Sequence, residues 1–193
     1  MNDVDHIDNL TMNGTTRMTN IDGMRSTSGD GQERDEGNGF NEEANRHRWD
    51  GTVKVELSYA PVRYHCVSCF PCKMSQGRCE QIALHSCRLA CMSLDVVRGR
   101  MPLKNLERRM TWPCINKLDT MSKLLEIQMT MDSELRNRLD RYPTVPKLID
   151  MVFKSGTTLE AAVCVQLGWS TYWVNLVLRY QGSRWICDFA DLG

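Results

Sequence analysis

Two apolar stretches meet at one glycine in TTLEAAVCVQLGWSTYWVNLVLRY, residues 157–180. A glycine at that point permits a positive φ, which a tight turn between two crossing helices requires. The residues around Gly168 fit such a pair. Val163 and Leu167 come before the turn, Trp169 lies in it, and Val174 and Val177 follow on the second stretch. Cys164 takes the place where a small residue lets two helices approach, and Ser170 is placed to cap the second helix. Upstream, RYPTVPKLIDMVFKSG supplies a third element. Thr144 is a cap, Pro146 fits a first turn, Gly156 closes the segment, and Leu148, Ile149, Val152 and Phe153 face inward. The pattern predicts three helices over residues 144–181. They are either a compact core trio or a helix-turn-helix whose second helix enters a DNA groove.

The remainder is expected to be helical with a small β portion. TVKVELSY alternates through Val53, Val55 and Leu57, and VRYHCV through Val62, Tyr64 and Cys66, so two short strands open the ordered chain at Trp49. Glu80 to Val97 contains no Pro or Gly and reads as a helix. Leu103 to Trp112 reads as a short helix stopped by Pro113. A longer one of about 25 residues follows, carrying Ile115, Leu118, Met121, Leu125, Leu135 and Leu139 on one stripe. That stripe is a packing face or a homodimer seam over residues 115–139. The expected fold is mainly α, with a small β and cysteine-rich module and a trihelical helix-turn-helix at the C-terminal side. Three parts are expected: an acidic, disordered arm over 1–48, a cysteine-rich module over 49–100, and a helical domain over 101–193.

Charge follows the same division. Residues 1–50 carry eleven acidic and five basic side chains, and the rest thirteen and nineteen. The first fifty show no helical or strand period, too little apolar surface to offset ordering entropy, and no secretory pattern. No apolar run approaches the length of a membrane span, so the expected setting is intracellular and reducing, without a membrane partner.

In such a setting nine cysteines point to thiols or metal ligands rather than disulfides. HCVSCFPCKMSQGRCEQIALHSCRLAC spaces Cys66, Cys69 and Cys72 by two residues, and Cys87 and Cys91 by one helical turn. A turn that presents thiolates, followed by two more on one helix face, is a way to build a tetrahedral zinc site. The expected cofactor is therefore zinc, with Cys66, Cys69, Cys72, Cys87 and Cys91 as its candidate ligands. Cys87 and Cys91 also line up with Leu84 and Leu94 as a small apolar stripe, so inert core cysteines are the plainer alternative. CFPC adds a weak lead to redox chemistry. No acid, base and nucleophile set stands out, so no enzymatic activity is expected.

LEAAVCVQLGWSTYWVNLVLRY, preceded by PKLIDMVFKSG, resembles the helix-turn-helix units of transposases, resolvases and phage terminase small subunits. With the upstream cysteines it also resembles the small DNA-binding proteins of some insertion sequences. The likeness covers about 40 residues of the 193. It implies double-stranded DNA as partner, with Ser170, Thr171, Tyr172, Asn175 and Arg179 on the groove-facing side of the second helix. Arg98, Arg100, Lys104, Arg108 and Arg109 would then supply phosphate neutralisation. The expected function is a zinc-stabilised DNA-binding protein, a regulator or the DNA-binding subunit of a mobile element. The alternative is a zinc-binding interaction protein or viral accessory factor that uses Tyr172 and Trp173 to hold a protein partner.

Overall fold

A computed structural model describes residues 47–56 and 58–193. Six strands form one sheet in sequence order: β1 (Arg48–Val53), β2 (Val62–Ser68), β3 (Thr144–Ser155), β4 (Thr158–Leu167), β5 (Ser170–Gln181) and β6 (Arg184–Leu192). Neighbours are antiparallel except β2 and β3, which run parallel. The crossover between those two carries α1 (Gln76–Val97), α2 (Trp112–Met131) and α3 (Ser133–Arg141). The fold is therefore a mixed sheet with three helices, and the expected mainly α architecture is corrected. Strands from both sides of residue 100 share the sheet and one core. The expected arm lies outside the described residues except for His47 and Arg48.

The correction is sharpest in residues 144–181, expected as a trihelical helix-turn-helix and found as β3, β4 and β5. Side chains on β4 alternate strictly. Leu159, Ala161, Val163, Val165 and Leu167 are buried, while Glu160, Ala162, Cys164 and Gln166 face the other way. β-Branched and aromatic residues crowd β5, a composition suited to a pleated, half-buried surface. Gly168 does make a turn, with φ +61° as expected, but the turn is a two-residue hairpin between Leu167 and Ser170. The Tyr142 ring lies over it, so close that a Cβ on Gly168 would stand 2.5 Å from Cδ2. Gly182 and Ser183, both at positive φ, close β5 onto β6 in the same way.

The helices were more legible. α1 begins at Ser75, whose hydroxyl accepts from Arg78 N, and ends at Arg98. Its buried face includes Ile82, Ala83, Ser86, Leu89, Ala90 and Ser93, mostly small residues that let the helix lie close to the sheet. Pro113 starts α2 instead of stopping a helix before it, and Leu103–Asn105 is one 3-10 turn. The expected 25-residue helix breaks at Asp132, whose carboxylate accepts from Leu135 N at 2.9 Å and so caps α3. The predicted stripe is an internal packing face: Ile115, Leu118 and Leu139 are buried, and Met121, Leu125 and Leu135 partly so.

Arg98 ties the crossover together. Its side chain is 3% exposed. It donates to the carbonyls of Leu139 (2.6 Å) and Tyr142 (2.8 Å), to Thr144 Oγ1 (2.7 Å) and to Asp95 Oδ1 (2.5 Å). The end of α1 is thereby fixed to the end of α3 and the start of β3. This places Arg98 in the interior, away from the phosphate-neutralising role expected for it, and Arg100 donates to the Tyr142 carbonyl as well.

Candidate functional site

The helices pack on one face of the sheet, where Tyr64, Ile149, Met151, Phe153, Val163 and Leu176 are fully buried. No element among the described residues covers the opposite face, and its outward positions are exposed or half-buried. Strand register places most of those positions in three central rows. One runs Arg63, Leu148, Cys164, Trp173. The next runs Asp50, His65, Asp150, Ala162, Asn175, Asp191. The third runs Arg48, Val67, Val152, Glu160, Val177, Phe189. Two largely apolar rows thus flank a polar one. Trp173 is 42% exposed, Phe189 44% and Val67 38%, large apolar surfaces left in water on a rigid support.

Several charges on this face are held in ion pairs. Arg48 Nε and His65 Nδ1 each lie 2.6 Å from the Asp50 carboxylate. These two hydrogen bonds, that of His65 first, hold the Asp50 carboxyl below its ordinary range. Lys154 meets Glu160 at 3.2 Å and Arg179 meets Asp188 at 2.9 Å, while Lys117, which belongs to α2, meets Asp191 on β6 at 2.7 Å. Lys117 also sits over the Phe189 ring, 4.2 Å from its centroid. Asp150, exposed in the middle of the polar row, is in none of the ion pairs among the described residues.

The five residues expected to read DNA all lie on β5, and the sheet separates them. Thr171, Asn175 and Arg179 project from the uncovered face, with Arg179 held by Asp188. Ser170 begins the strand at the hairpin. Tyr172 turns to the helical side and lines an apolar groove of about 390 Å³ with Leu94, Leu125, Leu135 and Leu167. Phe189 and Val67 were not foreseen. Only the register of Phe189 opposite Val177 reveals its side.

The candidate zinc ligands differ in exposure. Cys66 and Cys87 are fully buried, Cys72 and Cys91 half-buried, and Cys69 exposed. Burial pushes the Cys87 thiol up to about 12. Among the described residues no three His, Cys, Asp or Glu side chains are grouped so as to hold a metal ion. No helix among them is long and apolar enough to cross a membrane. Comparison with family models, with curated proteins and with solved structures finds no match to this chain.

Proposed function

We propose that this chain is a non-enzymatic binding factor whose uncovered sheet face docks a protein bearing apolar anchors and basic side chains. The supporting observation is the pair of apolar rows around Trp173 and Phe189 on a face that no helix among the described residues covers. Large aromatic side chains exposed on a rigid surface are characteristic of interface anchors, because they bury much area at little entropic cost. The polar row selects the partner's charge. Asp50, Asp150 and Asp191 lie along it, and Asp150 has its carboxylate open to an incoming Lys or Arg. Duplex DNA is a poorer complement. Of the cations on the face, Arg48, Lys154 and Arg179 are matched by its own acids and Arg63 is in none of the ion pairs among the described residues, whereas phosphate contact requires a surplus of positive charge.

The test compares the parent with Trp173→Asp/Phe189→Asp, and with Trp169→Ser at the hairpin tip as control. A partner retained by the parent and the control should be lost by the double variant. Cross-linking mass spectrometry on the purified complex should place its contacts on β5 and β6, and its affinity should fall with Asp150→Lys. A partner that binds the double variant equally, or cross-links elsewhere, overturns the proposal. Salt-dependent binding of duplex DNA abolished by the double variant would do the same.

A further inference from the structure

A second concave surface lies on the helical side of the sheet, away from the docking face. Tyr180 and Trp185 stand opposite each other at the β5–β6 hairpin, and the first turns of α1 form the facing wall. Between them is an open cleft of about 620 Å³, lined by Arg78, Gln81, His85, Tyr180, Ser183 and Trp185 and by no acidic side chain among the described residues. The two rings make a corner, with centroids 5.3 Å apart and planes tilted by 56°. Phe153 braces Trp185 from the core, edge to face at 6.0 Å. Arg78 Cζ lies over the Tyr180 ring, 5.9 Å from its centroid. Among the described residues the side chains of Arg78, Gln81, Tyr180 and Ser183 enter no ion pair and no hydrogen bond, and the buried His85 Nε2 has no partner. Arg109, exposed and equally unpaired, is rooted beside the cleft, since its carbonyl accepts from Cys187 N at 2.8 Å, two residues along β6 from Trp185. Small-ligand sites have this form, a concavity of a few hundred Å³ with aromatic walls and a few convergent polar groups.

We propose that this cleft binds a nucleoside monophosphate, with the base on the Tyr180–Trp185 corner and the phosphate at Arg78. A flat base gains by covering aromatic surface that faces water, and stacking accepts any base because each has a π-face. A phosphate needs a cation with no acid of its own, and a guanidinium meets it with paired N–H donors. Arg78 satisfies that condition, whereas Arg48, Arg88 and Arg179 are committed to carboxylates. The Gln81 amide and the Ser183 hydroxyl both donate and accept, which suits the edge of a base or a ribose. The half-buried His85 ring, turned toward the ligand, gains the partner that Nε2 lacks. A purely apolar ligand would desolvate Arg78 without pairing it. A bare anion would leave the aromatic corner in water. The site therefore favours one molecule that carries both parts. It is independent of the protein docking proposed above, which uses the other face of the sheet.

The four ribonucleoside monophosphates are each titrated into the full-length protein by calorimetry, with the nucleosides and inorganic phosphate run separately. At least one nucleotide should bind at a single site. Its nucleoside and phosphate alone should each bind at least about tenfold more weakly, because each makes only part of the contact. Arg78→Glu and Tyr180→Ser, both at exposed positions, should weaken the nucleotide by about tenfold or more. Trp173→Asp/Phe189→Asp, on the other face, should leave its affinity unchanged. Photo-labelling of the parent with an azido nucleotide should mark the peptides that carry Arg78 or Trp185, and this map is decisive without any variant. Absence of nucleotide binding at millimolar concentration overturns the proposal. So does phosphate binding as tightly as the nucleotide, an affinity that survives Arg78→Glu, or labelling confined to other peptides. Binding of single-stranded RNA with no binding of any mononucleotide overturns it as well.

Discussion

Arg98→Met tests whether one buried guanidinium holds the crossover to the sheet. Methionine keeps much of the apolar stem and deletes every donor. Thr144 Oγ1 still donates to Asp95 Oδ1 at 2.6 Å, and the Tyr142 carbonyl still accepts from Arg100 at 2.9 Å. The Leu139 carbonyl loses its side-chain donor, and the Asp95 carboxylate, 25% exposed, loses its cation. An unsatisfied buried carbonyl costs about 1–3 kcal/mol, and a largely buried charge deprived of its partner costs at least as much. The sum is about 3–5 kcal/mol, the range found when one side of a buried ion pair is removed. With a urea m-value of about 2 kcal/mol/M, the unfolding midpoint should fall by about 1.5–2.5 M. Urea titration followed by tryptophan fluorescence reads this directly. Adding Asp95→Asn should cost less than the two single losses combined, because the uncompensated charge disappears. A loss under about 1 kcal/mol, or full additivity of the two changes, would refute the role given to Arg98.

Two further outcomes follow from local geometry. Gly168→Val should cost about 2–4 kcal/mol in urea unfolding, because a β-branched residue is strained at φ +61° and its Cβ meets the Tyr142 ring; Tyr142→Ala beside it should reduce that cost, and no reduction would deny the clash. His85 has its pKa lowered from 6.5, by burial first and then by Arg109, so the unfolded chain takes up its proton before the folded one does. Stability from this group is therefore complete above pH 6.5 and declines as pH falls below it. The drop in urea midpoint between pH 7.5 and 5.5 should shrink in His85→Gln, and an unchanged drop would rule His85 out as its source.

Legibility in the sequence followed how far one face of each element differed from the other. α1 has an apolar stripe, a serine cap and no Gly or Pro from Glu80 to Val97, and its helix was expected over all but its first turn. β2 alternates cleanly through Val62, Tyr64 and Cys66 and was expected too. The clustered prolines and basic residues of 98–113 misled, because their meaning depends on distant partners. Arg98 looks like a surface cation until the carbonyls of Leu139 and Tyr142, more than forty residues away, are seen to surround it. Pro113 reads as a stop signal or a start signal depending on which side the helix lies, and nothing local decides between them.

β4 and β5 were hidden for a reason that bears on their role. In an antiparallel sheet with one face in water, the outward positions are normally polar and the alternation is plain. Here Ala162, Cys164, Trp173 and Val177 occupy outward positions, so both strands read as nearly continuous apolar runs. A helical period can be fitted to such a run as readily as a strand period, and Gly168 serves either as a helix stop or as a hairpin corner. Three of these, Cys164, Trp173 and Val177, belong to the apolar rows of the proposed docking surface. Replacing them with polar residues would have made the strands obvious from sequence and would have removed the surface. The misreading of the fold and the proposed function thus have one physical origin, apolar side chains placed on the side of the sheet that the core does not need.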